Sequence, residues 1–348
     1  MRPFGSCLRV GIAAIHMSIN KSAKLSSKIF KGDIEELPTR NGFGDGLLLA
    51  AERNDQIVVL CADLTESTRA EAFKKAYPDR FVQMGVSEQS LAAIAAGMAL
   101  QGKIPFIASY ACFSPGRNWE QIRTTVCLQE VNVKIAGAHS GVSVGPDGAT
   151  HQMVEDIAIM RVLPNMVVLV PCDAIETRKA IVAAAEHEGP VYIRFAREKT
   201  PVFTTDASPF EIGQAQVLRE GTDVALIACG PLLYEALLAA EALSEKGIEA
   251  RVINNASVKP MDEATIIAAA KECGAIVTIE EAQAAGGMGS AVCELLSRTS
   301  PIPIERIGLE DTFGQSGEPR ELLEHYRLTA PWIEKAAKRV IKLKKYNQ

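Results

Sequence analysis

Apolar and polar residues follow each other along this chain in two alternating patterns. Short, continuously apolar segments, typical of buried parallel strands, are predicted at residues 56–61, 80–84, 104–110, 132–136, 166–170 and 191–195. Longer segments with a helical spacing of apolar residues are predicted at 41–54, 70–76, 87–100, 119–128, 151–161 and 174–185. This order of elements predicts an α/β fold around an open, mostly parallel sheet.

The same pattern resumes after a segment rich in Pro, Thr and Ser at residues 198–215. Strands are predicted at 224–229, 250–257 and 275–281, and helices at 233–246, 262–272, after Gly289 and at 331–345. We therefore predict two open α/β domains with parallel or mixed sheets, over residues 33–200 and 213–348, joined by a linker at 201–212. Residues 1–32 are expected to form a loosely ordered extension.

The composition argues against several classes of protein. The chain has 348 residues, 47% of them apolar, and a formal net charge of −5, which favours no binding to nucleic acid. No segment reaches the roughly 20 apolar residues that a membrane span needs. The eight cysteines are scattered without a CxxC spacing, so neither a zinc site nor a disulfide framework is indicated. We expect a cytoplasmic protein that binds neither membranes nor nucleic acid.

The first candidate functional residues lie in the segment 81–113, FVQMGVSEQSLAAIAAGMALQGKIPFIASYACF. Glu88 follows a strand pattern directly and starts an apolar helix, for which Ser87 is a candidate N-cap. Tyr110 and Phe113 close the next strand pattern. An acid in the first turn of a helix is also common because it interacts favourably with the helix dipole, so Glu88 alone leaves its role open.

A second candidate lies in the loop GAHSGVSVGPDGATHQ, residues 137–152. His139 ends a strand pattern, and Asp147 and His151 flank the predicted start of a helix. Two imidazoles and a carboxylate on a glycine-rich backbone suit a hydroxyl-rich substrate and proton transfer near neutral pH. The alternative is a surface turn followed by a capped helix.

Taken together, these motifs resemble the C-terminal half of transketolase over residues 35–345, which consists of a pyrimidine-binding domain and a C-terminal domain. The resemblance implies thiamine diphosphate as the cofactor. Glu88, in GVSEQ, matches the glutamate that contacts N1′ of the aminopyrimidine, and Phe113 matches the ring that stacks on it. Tyr110 matches a neighbouring aromatic residue, and Asp63, in CADL, matches an acidic position close to the cofactor.

The resemblance also implies a sugar-phosphate substrate. Arg40, Ser67 and Arg197 match positions that bind the phosphate end of the sugar, and the planar donor pair of a guanidinium suits a phosphate. The implied reaction transfers a two-carbon ketol unit from a ketose phosphate to an aldose phosphate.

Contacts to the rest of the sugar are implied for the 137–152 loop. His139, Asp147 and His151 match the polar residues that contact the carbonyl and hydroxyl groups of the sugar. Together with Glu88, the two histidines are the predicted catalytic residues.

The resemblance does not include the N-terminal half of transketolase, which holds the diphosphate and its metal ion. Its signature is GDG followed about thirty residues later by an Asn pair. This chain contains Gly44-Asp45-Gly46 and Asn254-Asn255, but they are far apart in sequence and Asp45 lies in a predicted helix. We predict no metal site in this chain. Mg²⁺ or Ca²⁺ is expected on an N-terminal partner subunit that carries GDG and the Asn pair, in a heterotetramer.

Three other interpretations remain open at this point. 1-Deoxyxylulose-5-phosphate synthase shares the Glu and a similar DGATHQ turn, but typically has an Asp-Arg pair near the position of His139. The beta subunit of a 2-oxoacid dehydrogenase resembles this chain in SEQ and in GGMGSAV, but lacks the GPDGATHQ turn. A regulatory or scaffolding relative without activity would be expected to have lost Glu88 or the histidines. The GGMGSAV turn itself, within residues 280–292, favours tight packing before a helix over anion binding.

Overall fold

The computed structural model describes residues 19–346 of the chain, and residues 1–18 of the predicted extension lie outside this range. The strands are β1 (Glu36–Pro38), β2 (Ile57–Cys61), β3 (Phe81–Gln83), β4 (Ile104–Tyr110), β5 (Lys134–Ala138), β6 (Val167–Leu169), β7 (Val191–Arg194), β8 (Lys199–Pro201), β9 (Gln216–Arg219), β10 (Val224–Ala228), β11 (Ala250–Asn254), β12 (Ser257–Lys259), β13 (Ile276–Gln283) and β14 (Ile304–Leu309). The α-helices are α1 (Thr39–Arg53), α2 (Glu71–Ala76), α3 (Glu88–Leu100), α4 (Trp119–Gln121), α5 (Asp156–Arg161), α6 (Ala174–Glu186), α7 (Leu232–Ser244), α8 (Glu263–Cys273), α9 (Met288–Thr299), α10 (Pro319–His325) and α11 (Ala330–Tyr346). None of the helices in this range is both long and apolar enough to cross a membrane.

These strands form two large open sheets. The first has the order β12-β6-β7-β5-β4-β2-β3, and all its neighbouring pairs are parallel except β12 with β6. The second has the order β14-β13-β10-β11-β9, and only β9 is antiparallel to its neighbour. Strands β2, β5 and β10 are buried along their whole length, as expected for strands with helices on both faces. The prediction of two α/β units with parallel or mixed sheets is confirmed.

The two units share a strand, which the sequence pattern did not indicate. Residues 250–257 were predicted as one strand, but β11 ends at Asn254 in the second sheet. The chain then turns, and β12 pairs with β6 at the edge of the first sheet. All eight residues of 250–257 are buried, so burial along the segment carries no sign that its two ends enter different sheets.

Residues 19–32 pack against other parts of the chain, which differs from the loosely ordered extension that the sequence suggested. Ile19 forms a β-bridge with Arg219, and Ala23 and Ile29 are buried. The hydroxyl of Tyr234 donates a hydrogen bond to the carbonyl of Ile29 at 2.9 Å. Ala23 ends a short 3₁₀ helix, Lys21–Ala23, and both apolar side chains belong to the core of the second unit.

The predicted linker begins with a short strand. β8 pairs with β1 in antiparallel register, with Leu37 opposite Thr200. In the described chain, neither a helix nor a strand lies between Pro201 and Gln216.

Helices α1 and α6 lie unusually close together because α1 has glycines on its buried side. A Cβ atom added at Gly42 would lie 2.1 Å from the carbonyl oxygen of Ala174, and one at Gly46 would lie 2.6 Å from the Cβ of Ile181. The glycines of the GDG sequence therefore allow other segments to pack closely against α1. This contact fixes the first turn of α1, where Arg40 lies.

Candidate active site

The candidate residues meet at one edge of the first sheet. β2, β4 and β5 are neighbours and parallel, so their carboxyl ends lie side by side. Tyr110 is the last residue of β4, and His139 directly follows β5. Crevices at the carboxyl ends of parallel strands are the usual binding sites of such sheets.

Four rings form a cluster at this edge. The rings of Tyr110 and His139 are stacked, with centroids 3.8 Å apart and an angle of 24°. Phe113 is nearly parallel to Tyr110, with a centroid distance of 5.9 Å and an angle of 19°. His151 contacts Phe113 edge-on at 5.5 Å. The cluster brings together the four ring residues that the sequence predicted, and it offers flat surfaces to a planar ligand.

His139 is held as a neutral ring. It is buried, has a left-handed backbone with a φ of 55°, and its Nδ1 atom has no hydrogen-bond partner in the part of the chain described. Burial lowers its pKa to about 3, and the nearby cations Arg40 and Arg197 act in the same direction. At neutral pH the imidazole is therefore uncharged and keeps a free polar atom.

Glu88 is the first residue of α3 and is only 2% exposed. Its Oε2 atom lacks a hydrogen-bond partner among residues 19–346. The side-chain amide of Asn118 donates to the backbone carbonyl of Glu88 at 2.9 Å and to the hydroxyl of Ser114 at 3.1 Å. This bridge joins the start of α3 to the loop that carries Phe113.

Ser87 does not cap α3 as predicted. Its hydroxyl donates to the carbonyl of Met84 at 2.8 Å and accepts no hydrogen bond from the helix. The tight turn after Gly85, which has a φ of 67°, brings the Met84 carbonyl within reach of the hydroxyl. Ser87 thus fixes the turn that places Glu88.

The predicted phosphate residues lie beside the ring cluster. Arg40 donates from Nη1 to the carbonyl of Ser67 at 3.0 Å, so Ser67 contributes its backbone as well as a partly exposed hydroxyl. Arg197 donates to the carbonyl of Val144 at 2.9 Å and lies 3.3 Å from the Asp147 carboxylate. Burial lowers the pKa of Arg40, and the neighbouring Arg69 and Arg197 lower it further. This edge is therefore strongly cationic.

Asp147 and His151 do not flank a helix start as predicted. Asp147 ends a 3₁₀ segment, Val142–Asp147, and α5 begins only at Asp156. Gly145 and Gly148 have φ values of 83° and 74°, which interrupt the helical path. His151 is partly exposed, and its Nδ1 atom lies 2.9 Å from the hydroxyl of Thr150.

Asp63 lies at the margin of this group. It is exposed, with a φ of 59°, and its described contact is a hydrogen bond from its backbone N–H to Oε1 of Gln83 at 2.9 Å. Gln83 belongs to β3, the outermost strand on that side. The structure therefore does not bring the Asp63 side chain into contact with the rings or the arginines.

Arg69, which was not among the predicted site residues, also lies at this edge. Its Nε atom donates to the side-chain carbonyl of Asn41 at 3.0 Å, and its charge lowers the pKa values of both Arg40 and His139. The only sequence signal was its position two residues after Ser67.

The second unit holds the 137–152 loop in place, which the sequence also did not reveal. The Glu281 carboxylate accepts a hydrogen bond from the backbone N–H of Ser143 at 2.7 Å. Arg194 donates to the Asp156 carboxylate at 2.8 Å and to the carbonyl of Glu281 at 2.7 Å. The amide of Gln152 reaches the carbonyl of Gln315 at 2.9 Å. Buried polar contacts between the units thus set the shape of the loop.

The GGMGSAV turn is occupied by a side chain of its own unit. The Glu280 carboxylate accepts hydrogen bonds from the backbone N–H groups of Met288 at 2.7 Å and Gly289 at 2.8 Å. A Cβ atom at Gly287 would lie 2.2 Å from Glu280. These contacts agree with the packing role predicted for the turn.

The residues that mimic a metal motif lie apart. Asp45 is on the exposed side of α1, whereas Asn254 is buried at the end of β11 and donates to Glu176 at 2.6 Å. Within residues 19–346, no group of three or more His, Cys, Asp or Glu side chains is arranged to hold a metal ion.

Glu88 and the rings fit the aminopyrimidine end of thiamine diphosphate. A carboxyl group with an unpartnered buried oxygen can hydrogen-bond to a ring nitrogen, and Phe113 and Tyr110 offer stacking surfaces. The described residues provide no comparable cluster of side chains for the metal ion that accompanies the diphosphate.

Comparison with known families assigns both units. Residues 35–202 match the family described as the transketolase pyrimidine binding domain, and residues 213–333 match the transketolase C-terminal domain.

Similar proteins include separate subunits and longer enzymes. A solved split-gene transketolase, in an inactive beta4 tetramer, is 46% identical, covers 88% of this chain and 99% of its own, and has a TM-score of 0.84. The 6-deoxy-6-sulfo-D-fructose transketolase subunit of a Clostridium species is 39% identical over 91% of this chain and 98% of its own length. The 1-deoxy-D-xylulose-5-phosphate synthase of Thermomicrobium roseum is 44% identical over 78% of this chain, but over only 43% of its own length.

Proposed function

The chain belongs to the transketolase family, and we propose that it is the C-terminal subunit of a split enzyme that moves a two-carbon ketol unit from a ketose phosphate to an aldose phosphate. The observation that carries this proposal is the buried Glu88, whose Oε2 atom has no hydrogen-bond partner within the described chain and which is tied to the Phe113 loop through Asn118. Buried carboxylate oxygens are normally paired, so one without a partner in the described chain, on a residue tied to the Phe113 loop, suggests a missing ligand.

The cofactor side of the proposal uses Glu88 and the aromatic residues. When bound, thiamine diphosphate supplies the nucleophilic carbon that breaks and forms the carbon–carbon bond. Glu88 would hold a proton against a pyrimidine nitrogen, and Phe113 with Tyr110 would support the ring and exclude water. Asp63 is proposed to lie at the rim of this site, because its side chain is exposed.

The substrate side uses the cationic edge and the 137–152 loop. Arg40, Arg197 and Ser67 would bind the terminal phosphate, since guanidinium groups donate paired hydrogen bonds to phosphate oxygens. His139, which is neutral because burial lowers its pKa to about 3, would orient the carbonyl and adjacent hydroxyls through Nδ1. His151, which is partly exposed, would exchange protons with the substrate, and Asp147 would bind a sugar hydroxyl.

A second polypeptide completes the site in this proposal. We infer that an N-terminal subunit carrying GDG and an Asn pair holds Mg²⁺ or Ca²⁺ together with the diphosphate. Two copies of each subunit would then form a heterotetramer with two active sites. One observation supports this: the match covers almost the whole length of relatives that are themselves separate subunits.

The test is to purify this chain alone and together with an N-terminal subunit that carries GDG and the Asn pair. Titration calorimetry with thiamine diphosphate and Mg²⁺ should give tight binding only for the pair, because most of the cofactor's charge would be held by the partner. The pair should transfer a ketol unit between a ketose phosphate and an aldose phosphate, and the single chain should be inactive. Binding by the single chain as tight as that by the pair would contradict the split site.

One further candidate has a specific observation in its favour. The 44% identity to a 1-deoxy-D-xylulose-5-phosphate synthase suggests pyruvate as an alternative donor. An aldose phosphate acceptor would bring a phosphate to Arg40 and Arg197 with either donor, so the cationic edge is compatible with both. Rates for the pair with pyruvate and with a ketose phosphate, measured with the same aldose phosphate acceptor, decide between the two donors.

A further inference from the structure

We propose that Arg69 is a third guanidinium of the phosphate subsite, and that it makes this subsite selective for a dianionic phosphate over a monoanionic sulfonate. This inference rests on the proposed function, because it concerns the end of the substrate that lies farthest from the bond that breaks.

Arg69 and Arg40 are held together by two hydrogen bonds that cross between their segments. Arg69 Nε donates to the side chain of Asn41, the residue after Arg40, at 3.0 Å. Arg40 Nη1 donates to the carbonyl of Ser67, two residues before Arg69, at 3.0 Å. Each arginine therefore fixes the segment that carries the other, and both belong to one binding surface.

The backbone of Arg69 is held in a costly conformation. Its φ of 68° is left-handed, which a non-glycine residue adopts at a cost of about 1 kcal/mol or more. Its carbonyl and Cβ pack against α1 at Gly44, where an added Cβ would lie 2.8 Å and 3.1 Å from them. A residue kept in such a conformation by close packing has a fixed direction for its side chain.

The charges of the three arginines are unequally compensated. Arg197 lies 3.3 Å from the Asp147 carboxylate and 3.6 Å from the Glu198 carboxylate. In the part of the chain described, the hydrogen bonds of Arg40 and Arg69 go to neutral oxygens. The mutual effect of these cations also appears in the pKa of Arg40, which burial lowers first and Arg69 second.

Two guanidiniums without an ion pair in residues 19–346 match a dianion. A phosphate ester carries a charge of about −1.5 to −2 at pH 7 and has three acceptor oxygens. A sulfonate has the same tetrahedral shape and three oxygens but only one negative charge. Removing one of these two guanidiniums should therefore weaken phosphate binding more than sulfonate binding.

The test compares two donors in the assembled pair of subunits. Fructose 6-phosphate and 6-deoxy-6-sulfo-D-fructose share the reacting end and differ in the anion. We expect Arg69→Gln to lower kcat/KM for the phosphate about 10- to 100-fold, because a lost hydrogen bond to a charged group has this effect. The decrease for the sulfonate should be at least threefold smaller. Arg69→Lys, which keeps the charge, should retain most of the preference for phosphate.

The matched control is Arg53→Gln, at the opposite end of α1, where the side chain is exposed beside Glu186. This substitution should leave kcat/KM for both donors unchanged. Equal losses with both donors for Arg69→Gln would mean that Arg69 only supports α1, and would overturn the proposal. Melting temperatures of all variants identify a folding defect, in which case Arg69→Lys decides the question.

A binding measurement separates this inference from the proposed function. Inorganic phosphate is titrated into the purified chain by calorimetry, with methanesulfonate as the monoanionic probe. Weaker phosphate binding by Arg69→Gln, with methanesulfonate little changed, supports the subsite even if the pair transfers no ketol unit. Equal affinity for phosphate in the wild-type chain and in Arg69→Gln overturns the role of Arg69 even if the pair is fully active.

Discussion

Replacing Glu88 by Gln should separate the chemical use of this acid from its structural cost. The side chain is 2% exposed, and its Oε2 atom has no hydrogen-bond partner in residues 19–346. A buried carboxyl oxygen left without a hydrogen-bond partner costs about 1–3 kcal/mol. An acidic group at the start of a helix such as α3 is stabilised by only about 0.3–1 kcal/mol through the helix dipole. The unfavourable effect is the larger, so the acid should destabilise the isolated chain.

We therefore expect opposite effects on stability and activity. Glu88→Gln keeps the shape and removes the acid, and should stabilise the isolated chain by about 1 kcal/mol, or about 1–2 °C in melting temperature for a chain of this size. In the assembled pair, loss of the proton-holding acid should lower kcat about 100-fold or more. Melting curves at one fixed protein concentration and initial rates of the pair measure the two effects.

Glu71→Gln is the matched control, because Glu71 is also the first residue of a helix, α2, but is exposed and paired with Lys75 at 2.8 Å. It should lower the melting temperature slightly and leave the rate unchanged. A lower melting temperature for Glu88→Gln would mean that the acid is structurally satisfied. Retention of more than a tenth of the activity would show that another residue performs its role.

Two further predictions concern the fold. Burial raises the pKa of Glu280 to about 7 from 4.5, so the native state keeps a proton that the unfolded chain releases. The free energy of unfolding of the wild type should fall by up to about 3 kcal/mol as the pH rises from 4.5 to 7. Glu280→Gln should remove this part of the pH dependence, as measured by melting curves at a series of pH values. The same pH dependence in both proteins would refute the assignment. Gly42→Ala should destabilise the chain by about 1–3 kcal/mol because of the close contact with Ala174. Its control, Gly97→Ala in α3, meets no atom within 4 Å and should stabilise by up to about 1 kcal/mol; a reversed order would refute the packing role.

Local patterns were sufficient to predict the elements that carry the candidate site. Strands such as β2 and β5 are buried on both faces, so their sequences are continuously apolar and stand out from their surroundings. Because parallel strands place their carboxyl ends at one edge, the aromatic residues and His139 could be expected to meet there. The ring cluster in the structure agrees with this expectation.

Contacts between distant segments could not be predicted in this way. Ser143 and Glu281 are separated by 138 positions, and β12 joins a sheet whose other strands come from the first unit. Arg69 faces the site only because its backbone is left-handed, which no residue preference indicates for Arg. The 3₁₀ segment around Asp147 similarly depends on glycine conformations that a helical pattern does not reveal.

Unpaired buried atoms at one edge of the first sheet connect stability with ligand binding. Glu88 Oε2, His139 Nδ1 and Arg40 Nε all lack hydrogen-bond partners in the described residues. Each such group costs about 1–3 kcal/mol when it is removed from water without a partner. The rest of the fold must offset this cost, and the close packing of α1 on α6 and the buried Arg194–Asp156 pair lie directly behind the site. A ligand that supplies the missing partners recovers part of that cost, so the same atoms that weaken the isolated chain should favour its binding to cofactor and substrate.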